Sequence, residues 1–272
     1  MSHTVGVTQP SHLEPPAHAE KRSTRRLYLL YHELRSSQTS YSYVTNISLF
    51  EKHIDLYVQL AAHNNPLLPE ITFDDGHISN FTLAAPLLQA RGLSATFFIA
   101  AGWTGTRAGF MGWNELQSLH QSGHTIGAHG LTHKLLTHCN ERELQSELRD
   151  ARLLLEDKLG TPITTLSLPG GRYNRRVLQA CEEFGYTHIY TSIPKAESLP
   201  LGTTIGRLNL LGNMQPEWIA QLFTPDSKLL SHIEQKYRRK EAVKKLLGDR
   251  LYAKLWAMVN RHEADADEDP AA

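Results

Sequence analysis

Between residues 27 and 223, apolar runs of strand length alternate with segments of helical period, and this alternation constrains the fold more than any other feature of the chain. Residues 27–31 read as a buried strand. Ser48 followed by Glu51 has the form of a capping box, and Phe50, Ile54, Tyr57 and Ala61 then recur at helical spacing. The pattern continues with a strand at 71–73, a helix at 81–90, a strand at 95–100, a helix at 113–121 and a strand at 125–128. Asn140 and Glu143 open a strong helix in which Leu144, Leu148, Leu155 and Leu159 form one stripe, and Gly160 closes it. Strands at 163–168, 188–191 and 204–210 and helices at 175–184 and 217–223 complete the series. Strand–helix alternation implies parallel pairing through right-handed crossovers. A barrel and an open doubly wound sheet both satisfy it.

The ends of the chain read differently. Residues 1–26 carry Pro10, Pro15 and Pro16 with few large apolar residues, which predicts a disordered leader without the apolar block of a signal peptide. Residues 27–224 form the expected α/β domain, 225–262 a C-terminal helical extension and 263–272 an acidic tail. Residues 226–260 of the extension look helical, with apolar positions at Leu229, Ile233, Tyr237, Val243, Leu247, Leu251 and Leu255. Lys236, Arg238, Arg239, Lys240, Lys244 and Lys245 make it basic. A solvated face packed on the domain and a docking helix for an anionic partner both fit. With 28 Lys+Arg against 28 Asp+Glu, the chain lacks the bulk positive charge of a nucleic-acid binder. Cys139 and Cys181 cannot build a disulfide scaffold and read as small buried apolar residues. No window approaches 18 uninterrupted apolar residues, so no membrane span is expected and the expected compartment is the cytoplasm. The sequence sets no oligomeric state.

Two motifs stand at predicted strand ends. Asp74 and Asp75, followed by Gly76, leave the 71–73 strand at its C-terminal end, where parallel α/β architectures build their sites. Adjacent carboxylates repel unless a cation neutralises one or one takes up a proton. A helix-capping turn would use the same residues. Five of the 15 histidines fall within 120–138, and two of them, His129 and His133, follow the 125–128 strand directly. Histidines four apart can offer two imidazole nitrogens to one metal at about 2.0–2.1 Å. Together with one aspartate they make a three-ligand set with an open position for water, and the other aspartate remains as a base.

Thr72 to Gly76, then Ala95 to Ile99, then Gly123 to His133, in that order and spacing, resemble the polysaccharide deacetylase family, also called the NodB-homology or carbohydrate esterase family 4 domain. The resemblance runs from about Leu27 to Phe223. It implies a distorted (β/α)7-type barrel and metal-dependent hydrolysis of N-acetyl groups on an amino-sugar substrate. Carried over by position, it implies Asp75, His129 and His133 as ligands of a divalent metal, usually zinc, with cobalt or nickel as alternatives. It also implies Asp74 as general base. Ser167 to Tyr173 resembles the family's third motif, in which the N–H of Gly170 would hold the oxyanion.

Two departures accompany the resemblance. The family often has an arginine where Ser167 stands, and its late histidine, the acid for the leaving amine, has no counterpart in 204–211. His32, at the end of the first strand, is the candidate acid, because the unperturbed imidazole pKa near 6.5 suits that role. The opening Leu29 to Glu33 resembles the family branch acting on poly-N-acetylglucosamine exopolysaccharides. Capping the strand end is the alternative use of His32. Arg207 cannot replace it, since guanidinium does not release its proton. Trp113 and Tyr173 could stack on a sugar ring or pack as core and rim. The departures also fit a metal- and sugar-binding component of a polysaccharide pathway that has lost efficient catalysis, and the lack of a recognisable signal peptide fits a deacetylase or amidohydrolase of a small non-polymeric amide.

Overall fold

In the computed structural model, residues 25–247 are described apart from 38 and 40. The leader expected before residue 25, the extension beyond 247 and the acidic tail lie outside the described residues. The chain runs through β1 (Arg25–Tyr31), β2 (Glu33–Arg35), β3 (Val44–Asn46), α1 (Ile47–Ala62), β4 (Leu67–Phe73), α2 (Ala85–Ala90), β5 (Thr96–Ile99), α3 (Trp113–Gln121) and β6 (Thr125–Ala128). Next, α4 (Glu141–Gln145) and α5 (Ala151–Leu159) are joined by a wide π-helical turn, Ser146–Asp150. The series ends with β7 (Thr165–Ser167), α6 (Arg175–Glu183), β8 (His188–Tyr190), β9 (Glu197–Ser198), β10 (Thr204–Ile205), β11 (Arg207–Asn209), α7 (Pro216–Leu222) and α8 (Leu229–Leu247).

Hydrogen-bonded neighbours follow the order β10-β8-β7-β6-β5-β4-β1-β11, every pair parallel. The two ends of that path are one residue apart in the chain. The segment 204–210, expected as one strand, is therefore two strands: it leaves β8 and joins β1 at Gly206. A Cβ there would lie 2.5 Å from the Ile193 carbonyl oxygen, so the close backbone approach requires glycine. Arg207 crosses the seam, its Nε donating to the Thr191 carbonyl at 3.2 Å. Counting 204–209 as one interrupted strand, this is the nearly closed (β/α)7-type barrel that the resemblance implies. Arg25 and Arg26, expected in the leader, instead form the first rungs of β1 opposite Leu67 and Leu68.

Strand alternation divides the core into two layers. Tyr28 faces inward, where it meets Phe98, Tyr190 and Ile205. Leu27, Leu29 and Tyr31 face outward onto Phe50, Ile54 and Tyr57 of α1. Each such buried side chain contributes about 1.5–3 kcal/mol. Asn46, rather than Ser48, caps α1, accepting from the Ser48 N–H at 3.0 Å, because the helix starts immediately after β3. Asn140 and Glu143, expected to open the helix, do so as a reciprocal capping box, and Gly160 closes α5 at φ +67°. Both cysteines are buried and unpaired. Leu229, Leu230 and Ile233 of α8 pack against the core. Among the described residues, no helix is long and apolar enough to cross a membrane.

A buried polar chain fastens α1 to the barrel. His53 Nε2 lies 2.9 Å from the Met214 carbonyl oxygen, which can only accept, so that nitrogen carries the proton. Nδ1 then accepts from the Tyr31 hydroxyl at 3.0 Å, and Tyr31 accepts from the Tyr57 hydroxyl at 2.6 Å. Burial pushes the His53 pKa down from 6.5 to about 4, against the opposing pull of the Met214 carbonyl. In the unfolded chain the imidazole takes its proton first, so the stabilisation is whole above about pH 6.5 and is lost as pH falls towards 4. Its size is at most about 3 kcal/mol. Urea unfolding should show the wild type losing about 2–3 kcal/mol more than His53→Gln between pH 7 and pH 4; parallel pH profiles would remove His53 from the account.

Candidate metal centre and active site

The expected site residues collect at the C-terminal ends of the barrel strands. Asp74 and Asp75 follow β4, His129 follows β6, Ser167 ends β7 and His32 follows β1. The ladder extends into the site: the Asp74 N–H donates to Tyr31 at 3.0 Å and the His129 N–H to Ile99 at 2.7 Å. Asp75 and His133 adopt φ values of +74° and +62°, a left-handed backbone that is uncommon for non-glycine residues.

Asp75 Oδ1 lies 3.2 Å from Nε2 of His129 and 3.4 Å from Nε2 of His133. The three potential ligating atoms fall within 4.8 Å of one another. His129 Nδ1 lies 2.9 Å from the Ser167 carbonyl oxygen and donates to it, which leaves the Nε2 lone pair facing Asp75. Asp75 Oδ1 is buried and accepts no hydrogen bond. A buried carboxylate oxygen facing two imidazole nitrogens is an electron-rich hollow that a cation would satisfy. The donor set therefore fits a divalent metal of borderline softness, with an open position left over. Burial opposes the charge on Asp75, but the surrounding imidazoles, His129 foremost, outweigh it and hold the carboxyl below the usual aspartate range.

Asp74 is buried beside this hollow, its Oδ2 3.8 Å from His129 Nε2. Arg207, fully buried, grips it with two parallel bonds, Nη1 to Oδ1 at 2.7 Å and Nη2 to Oδ2 at 2.8 Å. Ser167 Oγ accepts from Nη2 at 2.7 Å and donates to Asp74 Oδ2 at 2.9 Å. Burial would raise the Asp74 pKa, but Arg207, then His129 and His32, overcome it and keep the carboxyl low. The arginine expected at the Ser167 position thus has a counterpart in space, reaching the same carboxylate from β11. A single charged residue inside a strand otherwise free of charge is its sequence signal, since a buried guanidinium demands a partner.

The other expected residues are placed as follows. The His32 ring packs edge-on to Tyr43 at 5.2 Å, and its Nδ1 is buried without a hydrogen-bond partner. Burial lowers its pKa, although Asp75 and Asp74 pull the other way. Gly170 sits in the turn after β7 with φ +62°. Trp113 is partly buried against the core at the start of α3. Tyr173 is exposed and lines a groove with Leu178 and Gln179 of α6. The indole beside the ligand pair is instead Trp103, whose ring centroid is 5.3 Å from that of His133, and Arg107 stacks on it at 4.4 Å. No periodicity or spacing singles out Trp103 in the sequence. Glu147, buried in the wide turn between α4 and α5, also touches the ligand loop and was not anticipated.

Comparison with known proteins bears on the family and the fold. Residues 68–189 match the sequence profile of the family described as polysaccharide deacetylase. The chain is 33% identical over 132 residues to YxkH of Bacillus subtilis (strain 168), whose name assigns it to the polysaccharide deacetylases; the match covers 48% of this chain and 47% of that protein. It is 28% identical over 119 residues to chitin deacetylase 1 of Cryptococcus neoformans var. grubii serotype A, covering 44% of this chain and 24% of that one. The chain thus spans about half the length of the first of these relatives and about a quarter of the second. In structure it resembles the Streptococcus pyogenes deacetylase PplD, solved in complex with acetate, with a TM-score of 0.66 at 23% identity over 74% of this chain and 99% of that one. That likeness establishes the fold. Families of this kind are generally metal-dependent, and the hollow formed by Asp75, His129 and His133 is a possible metal-binding triad. Through residues 68–189, the chain carries the sequence profile of the polysaccharide deacetylase family.

Proposed function

We propose that this chain is a divalent-metal-dependent deacetylase that hydrolyses the N-acetyl group of an amino sugar in a carbohydrate substrate. One observation carries the reading: the orphaned Asp75 Oδ1 converges with two imidazole nitrogens while a second carboxylate, Asp74, is held beside them by a buried arginine. The names of the relatives, polysaccharide and chitin deacetylases, support the substrate class. Zinc is the favoured metal, because two imidazoles and one carboxylate suit its tetrahedral preference, and cobalt or nickel would substitute. When bound, the metal polarises the acetyl carbonyl and lowers the pKa of the attacking water from about 16 towards about 7.

The chain's own residues supply the proton handling. Asp74 takes the proton of the attacking water. Of its roughly four lone-pair positions, Arg207 and Ser167 fill three, and the one left is on Oδ1. The bidentate guanidinium fixes the plane of the carboxylate and keeps it ionised, at the cost of some basicity. The N–H of Gly170 steadies the oxyanion, and His32 delivers a proton to the departing amine. A second reading, a barrel that binds metal and sugar but turns over poorly, draws on the burial of His32, which favours the neutral imidazole.

Acetate release from short N-acetylglucosamine oligomers should disappear on chelation and return with added zinc. Asp74→Asn should lower turnover by about 10²–10⁴-fold with the metal retained; unchanged release would remove Asp74 as the base. Replacing Arg207 by Lys keeps the charge but loses the two-pronged grip, and kcat should fall by about tenfold or more with KM little changed. His32→Ala should lower turnover without abolishing metal binding, and full activity in that variant would take His32 out of the reaction. Oligomer binding with no acetate released at any metal would favour the second reading.

A further inference from the structure

The loop that carries both candidate histidines is held by a carboxylate that is not itself a ligand. Glu147 is buried, and its Oε2 accepts from the backbone N–H groups of Leu131 at 2.8 Å and Thr132 at 2.9 Å. Its Oε1 accepts from the Thr132 hydroxyl. These three donors all lie between His129 and His133. A buried carboxylate is costly unless its lone pairs are filled, and here the loop fills them. The dependence is mutual, because the backbone N–H groups have their partner only while Glu147 stays in place.

Two local features serve this contact. Glu147 lies in the π-helical turn Ser146–Asp150, where the helix widens, and it is buried beside Leu148 rather than turned to solvent. Single wide turns of this kind are frequent at functional sites. Across the contact stands Gly130, at φ +76°. A Cβ there would lie 2.7 Å from Glu147 Oε2, so the carboxylate can reach the loop only past a residue without a side chain. The His133 backbone, at φ +62°, follows directly after the clamped Thr132.

We infer that Glu147 is the positioning residue of the metal centre: it locks the 129–133 loop in ligating geometry, so that removing its carboxylate weakens metal binding without removing a ligand. This rests on the reading of Asp75, His129 and His133 as a metal site. Groups that orient metal ligands from outside the coordination sphere are worth about 10–100-fold in affinity, and that is the effect expected of Glu147.

The full chain, stripped with a chelator, is titrated with Co²⁺, following both affinity and the visible ligand-field spectrum. Glu147→Ala should bind Co²⁺ about 10–100-fold more weakly than wild type, with an altered spectrum. Glu147→Gln should recover most of the affinity, since its amide oxygen can accept from both N–H groups while its NH₂ donates to the Thr132 hydroxyl. Glu147→Asp keeps the charge but cannot reach, and should resemble the alanine variant; it carries the test if Glu147→Ala does not fold. Wild-type affinity and spectrum in the alanine variant, or in the aspartate variant where alanine fails, would overturn the inference alone. Failure of the wild type itself to bind Co²⁺ would overturn the metal site and this role with it.

Discussion

The pair formed by Arg207 and Asp74 joins the barrel to its chemistry. Arg207 belongs to β11, the strand that closes the sheet onto β1, and Asp74 belongs to the end of β4 on the other side of β1. The guanidinium also reaches Thr191 beyond β8, so one side chain spans the seam of the barrel and the base of the candidate active site. Removing either member of such a buried pair leaves an uncompensated charge, at a cost of about 3–5 kcal/mol. Closing the barrel and holding Asp74 ionised are therefore one requirement. The rings of Phe98 and Tyr190, 5.2 and 5.8 Å from the guanidinium, exclude water from the pair without competing for its donors.

The two loops that carry the candidate ligands are also fastened to each other. The segment after β5 donates from Ala101 to Gly130 at 3.0 Å and from Gly102 to Leu131 at 2.8 Å. Further on, the Met111 N–H donates to Gly76 at 3.0 Å, and Gly109 accepts from Ile78 at 2.8 Å. One connection thus binds both the loop after β4, which carries Asp75, and the loop after β6, which carries His129 and His133. It also sets Trp103 and Arg107 beside His133, giving the mouth of the site a flat aromatic wall with a positive charge on it. Backbone bonds of this number leave the ligand side chains few alternative positions.

Much of this was legible in the sequence, and the reasons differ by residue. The strand–helix alternation read correctly because period-2 and period-3.6 patterns report burial, which the barrel imposes on every unit. Asp74, Asp75, His129 and His133 were found because their chemistry is concentrated in short motifs at strand ends. The break at Gly206 was not legible, since a strand that changes partners keeps the same alternation on both sides. Asn46 was missed as a cap because Ser48 and Glu51 offered a pattern of the same form two residues on. In the sequence, Arg207 reads only as a residue that cannot act as an acid. Its actual contact depends on β11 lying beside β1, a pairing between residues about 180 positions apart that no local pattern encodes.

The backbone at the ligands carries a last consequence. Asp75 and His133 both hold left-handed conformations that cost non-glycine residues of the order of 1 kcal/mol each, and neither conformation is relieved by a local glycine at that position. Such conformations persist only where neighbouring contacts over-determine them. For His133 these are the bonds from Leu131 and Thr132 to Glu147, and for Asp75 the turn in which the Gly76 N–H returns to Asp74 at 3.0 Å. These contacts are protein to protein, so the fold itself bears the strain at both positions.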